Sequence, residues 1–248
     1  MHSAPGPIAL ALMQLKEVSA QGEFPSTPLP LDVVEDICRI AGKGIADDDA
    51  FGMLQLVLTW ANTEGLEWNS DTCAYAAKIG RLDVLKFLRS YGCPWDEDTC
   101  ADAALGGHLE VLQWARETGC PWDLGTCAAA AWHGHLESLK WAREHDCPWD
   151  ELTCANAAHH GRLDVLKWAR ENGCPWDART CSSAAATGHL DVLEWARENG
   201  CPWDESTCSG AALGGHWDIL EWARENDCPW NERTRVYASS KRWLRKEE

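Results

Sequence analysis

Residues 93–119 read CPWDEDTCADAALGGHLEVLQWARETG, and this 27-residue stretch recurs in register from residue 66 to residue 227. Six copies follow one another without insertion, and a seventh starts at Cys228. A fixed period of this length marks a stacked repeat array, because one such unit is too small to bury its own apolar face. The first copy is worn at its edge, with Leu66, Glu67, Trp68 and Asn69 where later copies have Cys-Pro-Trp-Asp.

Positions within the unit spell a helix pair. Asn69, Asp96, Asp123, Asp150, Asp177, Asp204 and Asn231 follow the tryptophan, and both residue types are strong helix N-caps. The first helix then carries Thr, Cys and two Ala, small enough for neighbouring helices to approach closely. Gly107 and its counterparts at 80, 134, 161, 188 and 215 break the chain at a turn. In the second helix Leu109, Val111, Leu112, Trp114 and Ala115 form one apolar stripe. Acid–base pairs three residues apart are expected on its outer face, at Asp83–Lys86, Glu137–Lys140 and Asp164–Lys167. Gly92, Gly119, Gly173 or Gly200 ends that helix, Asp146 and Asp227 take the same place elsewhere, and proline follows two residues on. The fold class is all-α, an α-solenoid of stacked helix–turn–helix units. No strand is required.

The chain has 248 residues, with 39 Asp+Glu against 22 Lys+Arg and a net charge of −17. That acidic excess argues against nucleic acid or an anionic membrane as partner. No apolar run reaches the roughly 18 residues of a membrane span. The stretch 8–15 lacks a preceding basic region and meets Lys16 and Glu17 at once, so it reads as a poor signal sequence and a cytoplasmic location is expected.

Thirteen Cys and sixteen Trp are the abnormal entries in the composition. Twelve of the cysteines form two series of period 27, at 73, 100, 127, 154, 181 and 208 and at 93, 120, 147, 174, 201 and 228. No C-x-x-C spacing occurs, so they read as reduced packing residues rather than disulfide or zinc ligands. One Trp series, at 68, 95, 122, 149, 176, 203 and 230, falls in the loops. The other, at 60, 114, 141, 168, 195 and 222, falls in second helices, with Phe87 in the missing place. Each series is expected to form a ladder along the array, buried enough that Trp→Ala costs ~3–5 kcal/mol.

The pattern T-C-x-x-A-A-x-x-G-H-L-x-V-L-x-W-A-x-x-x-G resembles the ankyrin repeat, notably at Thr126, Ala130, Ala131, Gly134, His135 and Leu136. It departs from the family in its period, 27 residues rather than about 33. It departs also in Cys for the helix-initiating Pro and in Trp-Ala-Arg for larger aliphatics. In these respects it looks like the short CPW-type ankyrin repeats. The resemblance implies a non-catalytic protein-interaction solenoid, with no cofactor, that binds a protein partner on its concave face. No nucleotide-loop, nucleophile-elbow or zinc-protease motif is present, so no enzyme is expected. His108, His135, His189 and His216 follow the turn glycine, but Arg81 and Arg162 replace them elsewhere, which favours a turn role over metal binding.

At the amino end, residues 1–30 read as a flexible segment and 31–65 as a helical cap. Leu29-Pro30-Leu31-Asp32-Val33-Val34 resembles the opening of an F-box, so a ubiquitin-ligase substrate adaptor is the alternative function. At the other end, 228–248 should cap the array with a helix over 236–244 that turns Tyr237 and Trp243 towards the sixth unit. Lys241, Arg242, Arg245 and Lys246 read as a solvated cationic cap rather than a nuclear-localisation signal.

Specificity should lie where copies disagree. One such column reads Tyr75, Asp102, Ala129, Asn156, Ser183 and Gly210. Another reads Lys78-Ile79, Leu105-Gly106, Trp132-His133, His159-His160, Ala186-Thr187 and Leu213-Gly214. The candidate partner-binding residues are Tyr75, Lys78, Asp102, Leu105, Trp132, His133, Asn156, His159 and His160. Trp132, His133, His159 and His160 should form one patch in mid-array, flanked by Leu105 and Asn156. The competing readings are neutral surface drift, or a Trp132 folded down against the next unit.

Overall fold

The structure, a computed structural model, describes residues 69–240, and these form thirteen helices. First helices of successive units are α1 (Ser70–Lys78), α3 (Glu97–Leu105), α5 (Leu124–His133), α7 (Glu151–His159), α9 (Ala178–Thr187), α11 (Glu205–Gly214) and α13 (Glu232–Ser240). Second helices are α2 (Leu82–Ser90), α4 (Leu109–Glu117), α6 (Leu136–Glu144), α8 (Leu163–Glu171), α10 (Leu190–Glu198) and α12 (Trp217–Glu225). The N-terminal cap and the F-box-like stretch lie outside the described residues.

First helices pack on one another along the whole array, while second helices meet chiefly the first helix of their own unit. Side-chain size explains the difference. Cys127, Ala130 and Ala131 in α5 are fully buried, and so are their counterparts in α1, α3, α7, α9 and α11, which lets the backbones come close. The second helices bury Val165, Leu166 and Ala169 or their equivalents against that layer. Cysteine is thus a core residue here, and every cysteine of the described residues is free and buried.

The helix ends follow the expected chemistry. Asp123, Asp150, Asp177 and Asp204 stand in extended backbone and accept the amide hydrogen two residues on, at 2.8–3.0 Å. Asn231 accepts from Thr234 N at 3.0 Å and so starts α13, whose range begins before the 236–244 expected for the last helix. Asn231 is the seventh cap position of the sequence, and α13 starts from it as the first helices of the other units start from theirs. Tyr237 does pack against the core.

Three contacts not read from the sequence tie unit to unit. The Cys120 thiol donates to the Asp96 carbonyl, 24 residues earlier, at 3.3 Å, and Cys93, Cys147, Cys174, Cys201 and Cys228 do the same at 3.4–3.6 Å. Each loop is thereby bonded to the cap of the preceding unit. A hydrogen bond between thiols and then burial raise Cys73, Cys100, Cys127 and Cys154 well above the ordinary thiol value, so these sulfurs stay protonated. The turn histidine has a partner too: His108 covers Gly80, His135 covers Gly107, His189 covers Gly161 and His216 covers Gly188, while Arg162 covers Gly134.

The third contact corrects the tryptophan ladders. The two series pair with each other within a unit, edge to face, at 5.9–6.0 Å in Trp95–Trp114, Trp122–Trp141, Trp149–Trp168, Trp176–Trp195 and Trp203–Trp222, and an arginine makes the crossing between units. Over the loop ring lies the second-helix arginine of the preceding unit, as in Arg89 over Trp95 at 4.0 Å and Arg170 over Trp176 at 4.1 Å. Arg116 also donates to the Cys120 carbonyl at 3.1 Å, as do Arg89, Arg143, Arg170 and Arg197 to theirs, closing the helix end. These indoles are half-buried around the open second-helix layer, while Ala, Cys, Val and Leu fill the core.

The acid–base pairs need correction as well. Glu137–Lys140 forms at 2.8 Å. Lys86 and Lys167, however, lie over the rings of Trp114 and Trp195 in the next unit. Asp83 takes Arg81 instead, at 2.7 Å, and that guanidinium holds its carboxyl below the usual value. An indole face offers the ammonium a partly desolvated contact that an exposed carboxylate three residues away does not.

Candidate functional site

The residues that vary between copies sit on the first helices and at their carboxyl ends. Gly134, at φ +84°, ends α5 directly after Trp132 and His133. In the next unit α7 ends at His159, with His160 as its C-cap. Stacking of α5 on α7 brings these two pairs together.

Trp132 lies 4.1 Å from the His160 ring centroid and 5.6 Å from that of His159. His133 lies 6.2 Å from His160 and 6.1 Å from His135, and the two neighbouring imidazoles of α7 are 4.7 Å apart. Trp132 keeps 37% of its surface exposed and His133 is also exposed. The ring therefore rests on the next unit and still faces solvent, between the two readings the sequence allowed.

Two imidazoles at the patch, His160 and His135, resist protonation. Burial lowers the His160 pKa, and the neighbouring His159, His133 and Arg162 lower it further. Burial likewise lowers His135, with His133, His108 and Arg162 adding to the effect. His160 and His135 are thus held towards the neutral form. Among the described residues no group of three or more His, Cys, Asp or Glu is arranged to hold a metal.

The other candidates divide. Asn156 is half-buried, and its amide donates to the Ala128 carbonyl of α5 at 3.2 Å, which pins α7 to its neighbour beneath the patch. Leu105 is half-buried at the end of α3. Tyr75, Lys78 and Asp102 belong to α1 and α3, nearer the amino end. Tyr75 packs against the core, and burial raises the Asp102 carboxyl while Lys78 draws it back.

One part of this surface was missed. A shallow groove of about 260 Å³ continues from His159 across α9 and α11, floored by Ser183, Ala186 and Gly210 and walled by Leu213 and Tyr237. Leu213 is 62% exposed. Ser183, Ala186, Gly210 and Leu213 stand in the non-periodic columns. The small size of Ser183, Ala186 and Gly210 hid the groove, since its floor is marked by side chains that are absent.

No family model and no curated protein sequence matches the chain. Among solved structures the chain is similar to the crystal structure of the human ASB11 ankyrin repeat domain, with a TM-score of 0.51 and 16% identity. The match covers 63% of this chain and 83% of that one. Stacked helix pairs, left-handed turn glycines and this structural likeness give one result: the chain has the fold of an ankyrin-repeat solenoid, built on a 27-residue unit.

Proposed function

We propose that the chain is a non-catalytic scaffold that binds a protein partner on the concave side, the side of the close-packed first helices. Trp132 carries this reading. It is the one large aromatic of these helices that is both outside the two tryptophan series and exposed, and an exposed indole set among imidazoles has the composition of an interaction anchor. Binding there needs only surface complementarity, so Tyr75, Lys78, Asp102, Leu105, His133, Asn156, His159 and His160 act as its surround.

The test is Trp132→Ala in affinity capture of the native partner, with thermal melting in parallel. Capture should fall at least tenfold, the usual effect of losing an anchor worth about 1.4 kcal/mol or more, with melting nearly unchanged. A melting loss equal to that of Trp141→Ala would make Trp132 a packing residue and refute the assignment. A second reading, a ubiquitin-ligase substrate adaptor, is supported by the match at 29–34 alone. It predicts co-purification with a ligase adaptor that Leu31→Ala abolishes.

A further inference from the structure

On the opposite side of the array, one position of the second helix reads Lys86, Gln113, Lys140, Lys167, Glu194 and Glu221. Each of the first five precedes the second-helix tryptophan of the next unit by 28 residues. Lys86 places its ammonium 5.7 Å from the Trp114 ring centroid, and Lys167 places its own 5.9 Å from that of Trp195. Two of the three lysines at this position thus lay an ammonium on the next unit's indole, while Lys140 pairs with Glu137. At Trp222 the geometry recurs and the charge is inverted, because Glu194 stands where Lys167 stands one unit earlier. Among the described residues none places a cation over Trp222.

A groove of about 450 Å³ opens there between α10 and α12, lined by Glu194, Arg197, Glu198, Trp203, Trp222 and Asn226. Trp203 meets Trp222 edge to face at 5.9 Å and forms the second aromatic wall. Arg197 is engaged elsewhere: its guanidinium lies 4.1 Å from the Trp203 centroid and donates to the Cys201 carbonyl. Charge also gathers here. Helices α10 and α12 carry six carboxylates against two arginines, whereas α8 carries two of each sign.

We propose that this groove binds an alkylammonium, presented as the side chain of a lysine on a partner protein, over Trp222 and between Glu194 and Glu198. The chain's own lysines show the ligand class, since Lys167 and Lys86 make the same contact at Trp195 and Trp114, one and four units before Trp222. This site is independent of the Trp132 patch and can be present without it.

The experiment uses the ¹⁵N-labelled full chain, with the Trp195 and Trp222 indole N–H resonances assigned through Trp195→Phe and Trp222→Phe. The probe is acetyl-Gly-Lys-Gly-amide, and the control replaces its lysine with norleucine. The lysine peptide should shift the Trp222 resonance saturably and leave Trp195 in place, and the norleucine peptide should shift neither. Glu194→Gln should weaken binding roughly threefold, as expected for loss of one partly exposed charge contact. Glu194→Lys should abolish it by supplying the ammonium internally, and Lys167→Glu should give Trp195 a response of its own. An unmoved Trp222, an equal effect of the norleucine peptide, or an unchanged response in Glu194→Lys would overturn the proposal.

Discussion

Replacing Gly107 by alanine should cost far more than replacing Gly119, although both residues hold positive φ, +73° and +92°. The backbone penalty is shared. A side chain in the left-handed region costs about 1–2 kcal/mol, and the stiffer unfolded chain returns about 0.4–1 kcal/mol of it. At Gly119 an added Cβ meets nothing within 4 Å, so the net loss should be about 1 kcal/mol or less. At Gly107 the same atom would lie 2.5 Å from Cε1 and Nδ1 of His135, the ring that the next unit lays on this turn. Displacing that ring is overpacking, worth about 1–3 kcal/mol on top of the backbone loss, so Gly107→Ala should lose about 1–4 kcal/mol in all. Urea unfolding of Gly107→Ala, Gly119→Ala, His135→Ala and the double variant Gly107→Ala/His135→Ala forms the assay. In the double variant the clash is gone, and adding Gly107→Ala to His135→Ala should cost no more than Gly119→Ala does alone. Equal losses at 107 and 119, or no relief from removing the imidazole, would refute the histidine-on-glycine contact as a coupling between units.

Asp146 holds φ +64° without being glycine, so Asp146→Gly should raise stability by about 0.5–1 kcal/mol, read as a higher urea midpoint. The thiols set an alkaline limit. Cys73, Cys100, Cys127 and Cys154 have folded pKa values above the unfolded value, so their contribution is complete below about pH 8.5 and is lost as pH rises beyond it. Urea midpoints should hold from pH 7 to pH 8 and fall steadily towards pH 10, and a flat profile would contradict buried, protonated sulfur. The Thr126 hydroxyl is buried without a hydrogen-bond partner, so Thr126→Val should be neutral or stabilising by up to about 1 kcal/mol in the same assay.

The backbone of one unit, its helix starts, turns and buried stripes, was legible in the sequence. Asp123 announces a helix start, Gly134 a turn, and Leu139 with Ala142 a buried stripe, because these are local rules of capping, backbone freedom and periodicity. What a side chain does in the next unit was not legible. A period of 27 says that Lys167 and Trp195 recur, but not that the ammonium reaches across the gap rather than back to Asp164. The two tryptophan series were visible and their pairing was not, since two series of equal period can pair within a series or between series. The Trp132 patch was legible because its members are large and break the period. The Ser183–Leu213 groove was not, because its floor consists of small residues.

Bonds from the Cys thiols to carbonyls 24 residues back join only adjacent units, and the His–Gly and Arg–Trp contacts do the same. Mechanically the described residues are then a row of equal links, and none of them forms a strap running the length of the row. Pulled from its ends, it should yield one link at a time. Each released unit of 27 residues would supply about 90 Å of extended chain, and the remainder would stay folded and close again when the load is removed. A saw-tooth of nearly equal steps in a single-molecule stretching trace would be the signature of that construction.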